Sequence, residues 1–272
     1  MIESILTAVI AIGVIGLILG LVLGITSRFF GEKSDERTEQ VKSLLPGVNC
    51  GACGFASCEA LAESLVKGES PYSACPVGGV GTASAVAAFF GGNGEAPKRK
   101  VARVLCSGTI HHTNRVHEYQ GIQTCEAAGA LFGGQDACKY GCVGLGDCVR
   151  ACPFDAICVV DGIAIIDEDR CKSCEMCIGA CPKGIIRMLP EASQVTVSCR
   201  NYDHARETLK ECKRGCIGCG KCAKVCPTGA ITMEDYLATI DPEICNECGK
   251  CIEVCPVHVI FRYESKGNGQ LT

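Results

Sequence analysis

The sequence predicts an α+β protein in which one apolar N-terminal helix is followed by small modules held together at cysteine rather than by one large core. Three observations carry this. The 272 residues include 25 cysteines, no Trp and few other aromatics, and small domains poor in large apolar side chains need covalent or metal staples. An uncharged stretch near the N-terminus is long enough to cross a bilayer. The second half of the chain repeats itself at an interval of 74 residues. The net charge of −4 gives no sign of nucleic-acid binding.

The apolar helix comes first. Ile5 to Thr26 carries no charge over 22 residues, about 33 Å as a helix against a hydrocarbon core of ~30 Å. A cleaved signal peptide would want a basic start and a small-residue cleavage site. This segment opens with Glu3 and ends Thr26-Ser27-Arg28, so a retained transmembrane anchor is expected. Lys and Arg stand only on its C-terminal flank (Arg28, Lys33, Arg37, Lys42). That asymmetry places the bulk of the chain in the cytoplasm and the N-terminus outside the cell membrane. Gly16, Gly20 and Gly24 share one helix face, which lets another helix approach closely.

A four-cysteine module follows. Within PGVNCGACGFASCEALAESL and the later Cys75-Pro76, the cysteines are Cys50, Cys53, Cys58 and Cys75, with gaps of two, four and sixteen residues. Four thiolates suit either zinc or a cubane cluster. Cys58 to Lys67 reads as a short amphipathic helix. FGGNGEAPKRK, from Phe90 to Lys100, reads as a flexible linker with a solvated basic end.

The repeat carries the strongest signal. Cys171, Cys174, Cys177 and Cys181-Pro182 form a C-x2-C-x2-C-x3-C-P run, as do Cys216, Cys219, Cys222 and Cys226-Pro227, and Cys245, Cys248, Cys251 and Cys255-Pro256. In such runs three cysteines hold one [4Fe–4S] cluster and the fourth reaches to its neighbour. Tight triplets, an odd cysteine count and a reducing cytosol all argue against disulfides. Cys142, Cys148, Cys152, Cys171, Cys174, Cys177 and Cys181 each recur 74 residues later, and Cys125 and Cys138 fall on Cys199 and Cys212. Short β-type runs follow the motifs (AICVVDGIAIID, AITMEDYLATID). Two tandem ferredoxin-like domains are expected.

The repeat breaks once: Leu145 stands where the second copy has Cys219. Cys138, four residues before Cys142, is the expected substitute. The ligand sets expected are then Cys138, Cys142, Cys148 and Cys181; Cys171, Cys174, Cys177 and Cys152; Cys216, Cys219, Cys222 and Cys255; and Cys245, Cys248, Cys251 and Cys226. With the first module these make five clusters. Cys106, Cys125, Cys199 and Cys212 remain as the makings of a sixth, and Cys158, in a strand-like run, is expected as a small core residue. His111, His112 and His117 lie nearby as surface histidines. The expected organisation is an anchor (1–28), the four-Cys module (29–90), a linker and connector (91–135), ferredoxin-like domain 1 (136–190), a connector (191–210), ferredoxin-like domain 2 (211–264) and a tail (265–272).

Several clusters in series make a wire, and no strand-linked Gly-x-Gly-x-x-Gly, Walker loop or nucleophile motif accompanies them. Neither NAD nor flavin is expected to bind this chain, and no catalytic residue is expected. The gapped module, over about Leu44 to Gly79, resembles the four-iron-cluster domain of corrinoid iron–sulfur proteins and of the B subunit of Rnf complexes. The order of elements over nearly the whole chain, with KYGCVGLGDCVRACPFDAI and KRGCIGCGKCAKVCPTGAI, resembles the longer, anaerobe-type B subunits of that family. The resemblance implies a membrane redox complex that passes electrons from reduced soluble ferredoxin to NAD and couples this to Na⁺ or H⁺ export by partner subunits. Two other readings compete: an electron-supply subunit of another membrane machine, such as a hydrogenase or a redox-sensor reductase, and a zinc-stapled adaptor.

Overall fold

The computed structural model describes residues 2–30, 36–92 and 99–263, with side chains of the first helix described at 5, 6, 10 and 12–25. The side chain of the flanking Arg28, and Lys33, Lys98 of the basic linker end and the tail 265–272, lie outside what is described. Helix α1 (Ile2–Phe30) is continuous. Its large described apolar side chains are all exposed, and nothing stands within 4 Å of where a Cβ on Gly16, Gly20 or Gly24 would lie. Among the described residues no helix is both long and apolar enough to cross a membrane.

Three helices build the first module: α2 (Glu36–Leu44), α3 (Cys58–Val66) and α4 (Gly79–Phe90). Val41, Leu61, Leu65 and Val86 meet in its core. The Ser57 hydroxyl caps α3 by accepting from the Ala60 amide at 3.1 Å, satisfying one of the free donors at a helix start. Asn49, at φ 51°, accepts the Cys58 amide through Oδ1 at 2.8 Å. This fixes the cysteine loop to the helix that follows it.

The repeat appears as two like units. In the first, β1 (Lys100–Val104) precedes the short helices α5 (Cys125–Ala130) and α6 (Asp147–Arg150). A hairpin of β2 (Ile157–Val160) and β3 (Ile163–Ile166) follows, then α7 (Met176–Gly179) and β4 (Ile186–Pro190). β1 pairs antiparallel with β4, with Val104 opposite Ile186. In the second unit β5 (Val195–Val197) precedes α8 (Ala205–Glu211), α9 (Lys221–Val225), the hairpin of β6 (Ile231–Glu234) and β7 (Leu237–Ile240), α10 (Lys250–Glu253) and β8 (Ile260–Arg262). β5 pairs antiparallel with β8, with Val197 opposite Ile260. The first strand of each unit therefore lies in a stretch the sequence marked as connector. The two apolar cores match position by position. Ile157, Ala164, Ile185 and Ile186 in one stand where Ile231, Ala238, Val259 and Ile260 do in the other.

A buried cation locks the units together. Arg103 of β1 is 1 % exposed. Its guanidinium donates to both carboxylate oxygens of Glu168, at 2.6 and 3.1 Å, and to the Ser193 carbonyl at the start of the second unit. It also lies 4.7 Å from the ring centre of Tyr263, at the end of that unit. Arg99, expected to be merely solvated, is instead tied down: it pairs with Glu191 and donates to the Glu168 and Cys171 carbonyls.

Candidate metal centres

Most cysteine cages combine a loop that curls ahead of a short helix with a cysteine from elsewhere in the chain, before or after it. In the first module Cys50, Cys53, Cys58 and Cys75 line one hollow of about 310 Å³, together with Phe55, Leu61 and Val77. Burial pushes the Cys75 thiol up, and the neighbouring Cys53, Cys58 and Cys50 add to it. All four cysteines expected there are brought together.

In the first unit, Cys152, Cys171, Cys174 and Cys177 line a second hollow of about 320 Å³. Burial and the crowding thiols Cys171 and Cys174 push Cys177 up to about 12. This set, too, is the one the sequence pointed to.

The other cage of that unit groups its cysteines differently from the sequence reading. Cys142, Cys148 and Cys181 share a hollow of about 380 Å³ with Cys125, not with Cys138. Burial pushes Cys148 up to about 12, with Cys142, Cys125 and Cys181 as the contributing neighbours. Cys125 opens α5, where Thr124 caps the helix by accepting from the Ala127 amide. That cap places the Cys125 thiol on the cage. Cys138 lies instead with Cys106, Cys199 and Cys212 around an adjoining hollow of about 420 Å³, whose wall Cys142 shares with the first. Of the expected sixth set, Cys106, Cys199 and Cys212 line this hollow, and Cys125 lines the other.

The second unit assembles as expected. Burial pushes Cys222 up, and its thiol neighbours are Cys216, Cys219 and Cys255. Burial likewise raises Cys245, whose neighbours include Cys226 and Cys248, and lifts Cys251 to about 11 beside Cys222, Cys245 and Cys248. For Cys226 burial acts upward, but hydrogen bonds from the Thr228 hydroxyl and from the 228–230 amides outweigh it and lower the thiol.

Crowded, buried thiols resist becoming thiolates unless a cation joins them. Among the described residues no three Cys, His, Asp or Glu side chains converge as a single metal ion requires. The cysteines instead ring shared hollows rather than closing on one point. Cubane irons stand apart and each takes one thiolate, so this geometry fits a [4Fe–4S] cluster better than a tetrahedral zinc with ~2.3 Å Zn–S bonds.

Cys158 is exposed on β2 and is not the core residue expected. His112 accepts from or donates to Thr109 Oγ1 through Nδ1 at 2.7 Å, and the His117 ring lies 5.3 Å from Phe132. Two residues near the cages gave no sign in the sequence. Asn201, 1 % exposed, directs Nδ2 at Cys138 Sγ from 3.7 Å. Lys183 lies near Cys138 and Cys181, and burial pulls its amine down.

The cages follow one another in space. Cys50 is close enough to Cys174 for its charge to be felt there, and Cys148 is close enough to Cys177. In the second unit Cys222 and Cys251 stand in the same relation.

Known proteins bear on this arrangement. A family model described as a putative Fe–S cluster matches residues 45–77. Models for 4Fe–4S binding domains match 142–156 and 164–187, and one for a 4Fe–4S dicluster domain matches 215–259. The chain is 42 % identical to the B subunit of the Na⁺-translocating ferredoxin:NAD⁺ oxidoreductase complex of Acetobacterium woodii, over 91 % of this chain and 74 % of that one. It is 38 % identical to the B subunit of the ion-translocating oxidoreductase complex of Methanosarcina acetivorans, over 85 % and 88 % of the two chains. To the B subunit of the proton-translocating ferredoxin:NAD⁺ oxidoreductase complex of Clostridium ljungdahlii the identity is 39 %, over 89 % and 86 %.

Proposed function

Since the chain belongs to the family of B subunits of ion-translocating oxidoreductase (Rnf) complexes, we propose that it is the iron–sulfur electron-transfer subunit of such a complex. It accepts electrons from reduced soluble ferredoxin and relays them toward NAD reduction. Partner subunits of the membrane complex bind NAD and flavin and move Na⁺ or H⁺. The observation that carries the reading is the succession of cysteine cages: the first module's cage lies within electrostatic reach of the first unit's, and within each unit the two cages lie within reach of each other.

The cages hold at least five [4Fe–4S] clusters. Their ligands are Cys50, Cys53, Cys58 and Cys75; Cys171, Cys174, Cys177 and Cys152; Cys125, Cys142, Cys148 and Cys181; Cys216, Cys219, Cys222 and Cys255; and Cys245, Cys248, Cys251 and Cys226. What a bound cluster supplies is one electron taken up and returned with its ligation unchanged. The chain's own residues hold the thiolates at fixed spacing, exclude water with apolar side chains such as Ile157 and Ile231, and direct N–H groups at sulfur. Such hydrogen bonds and exposure set cluster potentials.

The uncharged run in α1 anchors the chain by a single pass, with the N-terminus outside and the cages in the cytoplasm. The glycine face, open within this chain, receives a partner helix.

The test is iron, sulfide and zinc per chain on anaerobically prepared protein, with EPR spectra before and after adding reduced ferredoxin. At least about 20 irons, four for each of five clusters, and signals that appear with the ferredoxin are expected. Abundant zinc with little iron would sink the reading. For the anchor, the full chain stays in the membrane fraction through an alkaline carbonate wash; release into the wash removes the anchor from the proposal.

A further inference from the structure

We infer that Cys106, Cys138, Cys199 and Cys212 hold a sixth [4Fe–4S] cluster, and that this cluster is the junction through which electrons cross between the two ferredoxin-like units. The inference rests on reading the chain as an electron relay and adds the step that reading lacks.

The four cysteines are contributed evenly. Cys106 and Cys138 come from the first unit, Cys199 and Cys212 from the second, and all line the same hollow of about 420 Å³. The contributions are also alike in kind. Cys106 stands two residues past the end of β1, and Cys199 two residues past the end of β5. These strands hold equivalent places, since each pairs with the last strand of its unit. Cys138 and Cys212 each stand four residues before the opening cysteine of their unit, Cys142 and Cys216. The site therefore has the pseudo-two-fold symmetry of the repeat, with like cysteines facing like.

The strands, against the 74-residue register, match Cys199 to Cys106 rather than to Cys125. Cys106 and Cys199 are 93 positions apart against a repeat of 74, so the first unit carries 19 extra residues between its first strand and its motif. Cys125 lies in that extra segment, free to serve the neighbouring cage where Leu145 replaces a cysteine.

The sulfurs are held as cluster ligands are, by N–H donors. The Cys142 amide donates to Cys106 Sγ at 3.5 Å, and the Cys216 amide donates to Cys199 Sγ at 3.3 Å. Asn201 donates its amide to Cys199 Sγ at 3.4 Å and its side-chain Nδ2 to Cys138 Sγ at 3.7 Å. Gly108 leaves room at the cage wall, because a Cβ there would stand 3.2 Å from Cys212 Sγ. The two donors Cys142 and Cys216 are themselves ligands of the flanking clusters. One hydrogen bond thus joins the junction to each unit. One electron passes in from the first unit as another site is oxidised, and out to the second as the junction is reoxidised. No proton or bond changes.

The test is native mass spectrometry and iron–sulfide analysis of the full holo chain, prepared without oxygen, with reduced-state EPR alongside. About 24 irons per chain are expected, four for each of six clusters. Cys138→Ala and Cys212→Ala each remove about four irons, and the double variant removes no more than either single one, since both serve one site. Cys125→Ala with Cys138→Ala removes about eight, since those serve two. About 20 irons in the unaltered chain, with normal reduction by ferredoxin, would overturn the junction while leaving the relay intact. Loss of eight irons in Cys138→Ala with Cys212→Ala, or zinc in place of the missing four, would overturn it too. The count on the unaltered chain decides the matter even where a variant fails to fold.

Discussion

The two ferredoxin-like units share a core and a topology but differ in how they close their cages. In the second, a single hairpin-and-loop pattern supplies every ligand from its two cysteine runs, and Cys219 and Cys248 are exposed. In the first, Leu145 takes a ligand's place and the chain loops out through the 19 extra residues to return with Cys125, which is buried. Cys171, Cys174 and Cys177 are buried there as well. The hairpin turns differ in the same sense. Asp161-Gly162 uses a glycine at φ 82°, whereas Asp235-Tyr236 forces a tyrosine to φ 63°, a conformation that favours glycine. Duplicated units can keep their core while ligands migrate, because the cage needs four sulfurs at the right places and is indifferent to which segment brings them.

The largest expected effect follows from that migration. Cys125→Ala empties one cage of the first unit, and Leu145→Cys added to it restores about four irons per chain by giving the first unit the second unit's pattern. If Leu145→Cys restores nothing, the cages are not interchangeable and the comparison fails.

Next comes the clamp between the units. Removing one partner of a buried ion pair costs about 3–5 kcal/mol, so Arg103→Ala lowers the anaerobic denaturation midpoint of the holo chain strongly. Arg103→Met, which leaves Glu168 uncompensated but fills the space, falls between. Equal midpoints for all three chains would mean that the units do not rely on this contact.

A smaller effect concerns exposure. An iron chelator acting on the oxidised protein should strip the second unit first, since Cys219 and Cys248 face solvent. Partial-loss samples would show the first unit's reduced EPR signals outlasting those of the second. The reverse order would contradict the contrast in burial.

The smallest effect lies in the extra segment itself. Burial lowers the His112 imidazole below its usual value, and Arg214, His111 and Lys213 add to this. With the folded value below the unfolded ~6.5, the unfolded chain binds more protons between the two. Stability is therefore lost as the pH falls through that window. His112→Gln should flatten this slight acid sensitivity, read as denaturation midpoints between neutral and mildly acidic pH.

The architecture and most of the proposed ligands were legible because the cysteine runs and the core positions around them share a strict 74-residue register. Cys138 and Cys125 were exchanged because that register is exact only from Cys138 onward. The match of Cys125 with Cys199 is a coincidence of spacing, and the true mate of Cys199 is recognised only by the strand that precedes it. Cys158 misled because β2 shows its outer face to solvent. Arg103 gave no warning, since an arginine in a five-residue strand reads as a surface side chain until Glu168, Ser193 and Tyr263 close over it.

The even division of Cys106, Cys138, Cys199 and Cys212 between the units has a consequence for assembly. Neither half can form that cage alone, so as separate molecules they would have to find each other. Only four residues, 191–194, separate the end of β4 from the start of β5. A short tether turns such an encounter into loop closure, with an effective concentration on the order of millimolar and an entropic cost that grows slowly with length. What would be a dimer interface thus becomes part of one chain's folding.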